Sequence, residues 1–237
     1  MGVILKYKIL GDTGLKVSSI CLGTMTFGEQ NTEKEAHEQL SFALENGINF
    51  IDTAEMYAIP PKKETQGLTE KYIGSWIKKH NNRDSYCLAT KIAGPGMEYV
   101  RGGSRLSKDH VTKAIDDSLK RLTSNKSLTR VQSIQNPYGL LNRIYEVGLS
   151  EISYRENIGL LAYSPLGFGM LTGKYIDNIP KDSRLGLHGE WFTRYNNEKC
   201  ITATKKYLDI AKKYNLSLTQ LALAFVNTRP FLTSNLI

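Results

Sequence analysis

The chain has 237 residues, a net charge of +8, 41% hydrophobic and 23% charged residues. That is enough for one large domain or two small ones with a sizeable core, and the balance excludes a disordered chain. No apolar run reaches the ~18–20 residues that a bilayer span needs, and Met1-Gly-Val-Ile-Leu-Lys-Tyr-Lys8 is too soon charged to read as a secretory signal. The positive charge is scattered as pairs (Lys78-Lys79, Lys205-Lys206, Lys212-Lys213), which predicts solvated helix faces. It does not predict a nucleic-acid or membrane surface.

In chain order, residues 5–20 read as a hairpin: Leu5–Leu10 alternates, Gly11-Asp-Thr-Gly14 turns and Leu15–Ile20 returns. Cys21-Leu-Gly-Thr24 continues as a buried strand. Thr32-Glu-Lys-Glu35 matches a capping box. It opens a helix with Ala36, Leu40, Ala43 and Leu44 on one face and Gly47 as its stop. A strand follows at 49–53. Next come a helical face carrying Leu68, Tyr72, Ile73, Trp76 and Ile77, a strand at 86–91, and a helix marked by Val111, Ile115, Leu119 and Leu122. Strand 131–135, helix 139–154 and strand 159–163 make a further unit. A Gly/Pro/Asn-rich loop, 164–197, leads to helices near 198–214 and 218–228, the second opened by the capping box Ser217-Leu-Thr-Gln220. Residues 231–237 begin another strand. The β-α-β-α rhythm predicts a parallel sheet with helices outside it, and polar residues at strand C-termini are where such folds place their sites.

Three polar residues stand at those positions. Asp52 ends the run Asn49-Phe-Ile-Asp52, Tyr57 lies five residues on, and Lys91 closes Tyr86-Cys-Leu-Ala-Thr-Lys91. A carboxylate, a phenol and an amine brought together make a proton donor. The Lys91 charge favours the phenolate and lowers the tyrosine from its ordinary value near 10, while Asp52 keeps Lys91 charged and in place. Such a group suits general acid catalysis of carbonyl reduction. Gly167-Phe-Gly169-Met-Leu-Thr-Gly173 is neither GxGxxG nor a Walker loop, so a Rossmann fingerprint is rejected. These glycines with Lys174 still suit a mobile loop over phosphates. Cys21, Cys87 and Cys200 form no CxxC and read as reduced thiols of a cytoplasmic protein. His37, His80, His110 and His188 lack metal-ligand spacing, so no metal site is expected. The first three read as solvated on polar helix faces.

These residues resemble the aldo-keto reductase superfamily, in particular its bacterial Tas-like branch, which is related to potassium-channel β-subunits. The likeness lies in Leu22-Gly-Thr-Met-Thr-Phe-Gly-Glu29, Asn49-Phe-Ile-Asp-Thr-Ala-Glu-Met-Tyr57, Glu64-Thr-Gln-Gly-Leu-Thr-Glu70 and Ala89-Thr-Lys91. It continues in Ser118-Leu-Lys-Arg-Leu122, Ser133-Ile-Gln-Asn-Pro-Tyr138, Leu161-Ala-Tyr-Ser-Pro-Leu-Gly167 and Leu171-Thr-Gly-Lys-Tyr175. The resemblance implies a (β/α)8 barrel that binds NADPH and reduces small carbonyl compounds, with Asp52, Tyr57 and Lys91 catalytic. It puts Gln135 on the nicotinamide amide and Tyr163 near the ring. Ser164, Pro165, Leu166, Lys174 and Arg184 would lie along the pyrophosphate and 2′-phosphate, with Thr24 and Met25 lining the site from the first loop.

The departures matter equally. Family members follow Ser-Leu-Lys-Arg-Leu with a strand ending in His-Trp and another ending in Ser-Asn. Here Leu122 is followed by Thr123–Arg130 and then directly by Val131-Gln-Ser-Ile-Gln135. The expected fold is therefore α/β: one domain over 1–237, an incomplete TIM-type (β/α)8 barrel. It is deleted near 122–130, lacks about two central βα units with the family's catalytic histidine, and stops inside its eighth strand. Barrel closure links strand number, tilt and shear, so marginal stability and a compromised cofactor site are expected. Two readings stand: an NADPH-dependent aldehyde or ketone reductase, and a non-catalytic remnant that binds a nucleotide or a protein partner.

Overall fold

The computed structural model describes residues 5–80, 82–93, 96–103, 107–122 and 133–237. These fall into two units: Met1–Lys6 with Ile20–Arg130, and Tyr7–Ser19 with Val131–Ile237.

In the first unit three short strands, β3 (Ile20–Gly23), β4 (Phe50–Asp52) and β5 (Cys87–Ala89), run parallel with β4 central. Helix α1 (Glu33–Glu45) begins at the expected capping box. Thr32 accepts from the Glu35 N–H, and Glu35 accepts from the Thr32 N–H. It ends where Gly47, at φ +82°, turns the chain back. Helix α2 (Leu68–His80) and α3 (Lys108–Leu122) complete the layer. Leu22, Ile51 and Leu88 meet Phe27, Ala36, Leu40, Ile73, Trp76 and Leu122 in one apolar cluster. Full burial of such side chains contributes about 1.5–3 kcal/mol each. Side chains alternate along a strand. Asp52, two residues from Phe50 and flanked in register by Gly23 and Ala89, therefore faces away from the helices.

The buried line of α3 is Ala114, Ser118 and Leu122. The larger Val111, Ile115 and Leu119 flank it half-buried. Small residues take the centre because α2 crosses closely there: a Cβ on Gly74 would lie 2.0 Å from the Arg121 carbonyl oxygen. Periodicity located the apolar sector correctly, but helix approach chose its midline. Of the histidines, His37 departs from expectation: it is half-buried, with Nε2 3.0 Å from the Tyr72 carbonyl and 2.9 Å from Ser75 Oγ. His80 is exposed as expected, its ring stacked on Trp76 with centroids 4.7 Å apart.

The second unit opens with the expected hairpin, β1 (Tyr7–Ile9) antiparallel to β2 (Lys16–Ser18). It also holds a parallel trio: β6 (Ser133–Pro137), β7 (Gly159–Tyr163) and β8 (Leu232–Leu236), with β7 central. Strand β6 extends two residues beyond its expected end. Residues 131–132, the expected start of this strand, lie outside the described residues. The hairpin is tied to β8 by Lys8 Nζ on the Leu232 carbonyl (2.6 Å), Ser234 Oγ on the Ser18 carbonyl (2.9 Å) and the Asn235 N–H on Ser19 (3.1 Å).

The helix expected over 139–154 is broken. Gly139 and Asn142 exchange backbone hydrogen bonds, a 3-10 turn covers Ile144–Val147, and α4 runs only over Leu149–Glu156. One close contact and one backbone conformation accompany the break. A Cβ at Gly139 would sit 2.9 Å from the Pro165 carbonyl, so the chain is pressed against its neighbour there. Gly148 adopts φ −158°, ψ −42°, outside the helical region. Asn157 then closes α4 at φ +48°. The stretch 164–197 is not a bare loop: it holds tight turns over Gly167–Thr172, kinked where Phe168 and Gly169 take positive φ, the short α5 (Arg184–His188) and a 3-10 turn over Thr193–Tyr195. Helices α6 (Glu198–Lys213) and α7 (Leu218–Asn227) follow, α7 from the expected capping box at Ser217. The fold is α/β, with three parallel strands in each unit, six strands of barrel type among the described residues where a complete (β/α)8 barrel has eight. No helix among them is long and apolar enough to cross a membrane.

Candidate active site

The β4 ladder continues past its last strand residue and carries the site with it. The Thr53 N–H donates to the Ala89 carbonyl (2.8 Å) and the Glu55 N–H to the Lys91 carbonyl (3.1 Å). Lys91 lies two residues beyond Ala89, so alternation returns it to the face of Asp52. Its ammonium donates to Asp52 Oδ2 and to the Thr53 carbonyl, each at 2.6 Å, and lies 4.9 Å from the centroid of the Tyr57 ring. Asp52 is 1% exposed while Lys91 is 29% exposed. The carboxylate is therefore sealed in and the cation reaches toward solvent. Tyr57 is half-buried and its backbone is held at both ends, N–H on Ala54 (3.1 Å) and carbonyl on the Gly67 N–H (2.7 Å).

The sulfur nearby is inert. Burial pushes the Cys21 thiol well above its ordinary value and the Asp52 carboxylate pushes it further. Burial raises Cys87 also. Both are free thiols that serve as small apolar groups.

Thr24 is fully buried. Its hydroxyl donates to the Asp52 carbonyl at 2.8 Å, so it fixes the strand end. Met25 accepts from the Ile59 N–H (2.8 Å), joining the first loop to the Tyr57 segment.

In the second unit, Ile134, Leu160, Ala162 and Leu232 pack with Tyr138, Tyr145 and Val226 on the helix side. Gln135 and Tyr163, at the alternate positions of β6 and β7, share the other face. After β7 the chain turns sharply. Ser164 takes φ +55°, its carbonyl accepts from the Gly167 N–H (2.9 Å), and Pro165 is buried. Leu166 packs with Leu171, Leu218 and Ala222. The glycine-rich run is thus anchored by its own leucines.

Lys174 and Arg184 are exposed and form no ion pair with a carboxylate among the described residues. Each lies over an aromatic ring, Lys174 at 5.0 Å from Tyr175 and Arg184 at 5.4 Å from Phe192. Burial pushes the Tyr175 phenol up. Its bonds with Ser183 and the Leu185 N–H, together with the Lys174 charge, outweigh this and leave it below its ordinary value.

Three features escaped sequence reasoning. Glu55 and Glu70 are fully buried acids, paired with Arg101 and Arg121 respectively. Arg194 donates to the Tyr163 hydroxyl at 3.4 Å and lies 6.0 Å from its ring, a bond that raises the guanidinium pKa. For Glu55 the signal was its place between Asp52 and Tyr57. Glu70 and Arg194 look like surface charges in sequence. Within the described residues no cluster of His, Cys, Asp or Glu could hold a metal ion.

Parallel strands alternating with helices, with polar residues gathered at the strand ends, define an α/β class of fold. The aldo/keto reductase family matches in two segments, residues 19–127 and 123–237, and the chain belongs to that family. It is an oxidoreductase by that membership, in a family that uses nicotinamide cofactors on small carbonyl compounds.

Among individual proteins it is similar to Protein tas of Escherichia coli (strain K12) and of Shigella flexneri, each 37% identical. Either alignment covers 98% of this chain and 89% of the relative. It is also 28% identical to the uncharacterized oxidoreductase YrpG of Bacillus subtilis (strain 168), covering 98% of this chain and 86% of that protein. The alignment with Protein tas runs over 308 positions, more than the 237 residues here, so the relative carries segments that this chain lacks. The two family segments meet at residues 123–127, where the missing βα units were expected.

Proposed function

We propose that this chain is an NADPH-dependent reductase of aldehydes and ketones in which Tyr57 gives the proton. The observation that carries the reading is the Lys91 ammonium held between Asp52 and the Tyr57 ring. A cation beside a phenol stabilises the phenolate, which makes the phenol a better acid toward a carbonyl oxygen gaining negative charge. Asp52, buried and bonded, keeps that cation in place. NADPH would supply the hydride. The residues present suit it: exposed, carboxylate-free Lys174 and Arg184 match phosphates, and Ser164, Pro165 and Leu166 would join them along the pyrophosphate. Gln135 offers an amide on the face it shares with Tyr163, whose ring would lie near the nicotinamide. Thr24 and Met25 support the first loop. With the family's histidine belonging to the segment absent here, Tyr57 and Lys91 carry the proton step alone. We read the two units as the parts of one domain over 1–237, at work in the cytoplasm, where its three free thiols stay reduced.

The test is Tyr57→Phe. Turnover of a panel of aldehydes should fall by about 10²–10⁴-fold, the scale of a lost general acid. The rise in thermal midpoint caused by NADPH should persist, since a ligand that binds only the native state stabilises it. Equal turnover in the variant would sink the assignment. The segment lost near 123–127 favours the second reading, a non-catalytic nucleotide-binding remnant. NADPH stabilisation with no reduction by the unaltered chain would establish that one instead.

A further inference from the structure

We propose that Glu55 is a positioning residue for Lys91, acting through the backbone that carries it. The inference rests on the reading of Lys91 given above and adds a residue to it. Glu55 is fully buried. Its N–H donates to the Lys91 carbonyl at 3.1 Å, and its carboxylate oxygen Oε1 accepts the Ala93 N–H. One residue thus grips the chain on both sides of residue 92, in the loop that follows β5. The carbonyl of Glu55 accepts from Gln66 Nε2 at 2.6 Å, so the grip is anchored in turn. The segment holding Asp52 and Tyr57 and the segment holding Lys91 are joined at this residue.

A lysine needs such a grip because its charge rides on a flexible four-carbon stem. A group of this kind works only within about 0.5 Å of its productive position, and its stem transmits any drift of the backbone.

The carboxylate is the right group for the task. It accepts only, with room for one N–H and for a guanidinium fork. Arg101 supplies that fork: Nη2 bonds Oε1 at 2.9 Å and Nη1 bonds Oε2. Glu70 holds the preceding residue similarly, accepting from Thr90 Oγ1 (2.6 Å) and Arg121 Nε (2.6 Å).

The experiment is amine labelling of the full chain with isotope-coded acetic anhydride, read peptide by peptide. It needs no turnover, so it decides this proposal even if the chain reduces nothing. In the unaltered protein Lys91, bonded to Asp52 and Thr53, should label slowly beside exposed Lys120 and Lys62. Glu55→Ala should raise Lys91 labelling about tenfold, the scale of a lost hydrogen bond to a charged group, with Lys120 and Lys62 unchanged. Should that variant fail to show a cooperative thermal transition, Glu55→Asp replaces it. The shorter acid keeps the charge for Arg101 but cannot span both partners, and it too should raise Lys91 labelling. Unchanged Lys91 labelling in either folded variant overturns the proposal. Where the unaltered chain turns over, kcat should fall in the same variants while NADPH stabilisation stays. A fall in NADPH stabilisation as large as that in kcat would also overturn it.

Discussion

Replacing Gly74 by alanine sets two known effects against each other at one position of α2. Within a helix, alanine is better than glycine by roughly 1 kcal/mol, so local propensity favours the variant. The tertiary contact opposes it. The added Cβ would stand 2.0 Å from the Arg121 carbonyl oxygen, 3.1 Å from that carbonyl carbon and 3.3 Å from Leu122 Cα. All three are backbone atoms of α3, so no side chain can swing aside and the helices must part. Overpacking of this kind costs about 1–3 kcal/mol, and with backbone on both sides the upper end applies. The net expectation is a loss of about 2 kcal/mol, or roughly 4–8 °C in midpoint for a chain of this size.

The assay is urea unfolding followed by tryptophan fluorescence. Trp76 is fully buried two residues away, whereas Trp191 is 59% exposed and changes little. Lys78→Ala, on the exposed side of the same helix, should stay within about 0.5 kcal/mol of the unaltered chain. A Gly74→Ala variant as stable as the unaltered protein would refute the claim that the glycine is there for helix approach.

Two further outcomes concern stability. Gly159→Ala would bring a Cβ 1.8 Å from Thr233 Oγ1, so it should destabilise the second unit by about 1–3 kcal/mol. Adding Thr233→Ala should relieve part of this, and strictly additive losses in the double-mutant cycle would contradict the contact. Acid sensitivity follows from two depressed carboxyls. The backbone N–H of Thr32, then its hydroxyl, holds Glu35 below the usual range, and the Arg143 guanidinium does the same for Glu146. Carboxyls lowered by folding stabilise above their unfolded value, near 4.3, and lose that contribution as pH falls through their folded values. The thermal midpoint should therefore drop between about pH 5 and pH 2, less steeply in Glu146→Gln. An unchanged slope in that variant would count against the assignment.

Much of the local architecture was legible in the chain because its determinants are local. Thr32 with Glu35 and Ser217 with Gln220 each satisfy two free N–H groups within four residues, so both helix starts could be read from spacing alone. Strand β7 falls at 159–163 as expected, and the hairpin turns where glycines allow it. Asp52, Tyr57 and Lys91 were legible through their places at or beyond strand ends. Alternation along β4 and β5 then brings Lys91 within 2.6 Å of Asp52. The helix expected over 139–154 failed for the complementary reason: its apolar pattern is helical, but Gly139 is pressed on the Pro165 carbonyl, 26 residues away in sequence.

The sequence by itself therefore determined the order and kind of most elements, the likeness to the family, and the places of Asp52, Tyr57 and Lys91 at or beyond strand ends, because capping, turn chemistry and side-chain period act over a few residues. Tertiary structure alone decided which of the many charged residues are buried and paired. Glu55 on Arg101 and Glu70 on Arg121 are separated by 46 and 51 residues, so neither pairing can be read from the residues beside the acid. It also decided that Gly74 marks a helix crossing, that Thr24 serves a strand end and that Arg194 reaches Tyr163. The physical reason is common to all of them. Burial and close approach belong to pairs of segments far apart in the chain, and they take effect only once those segments have met.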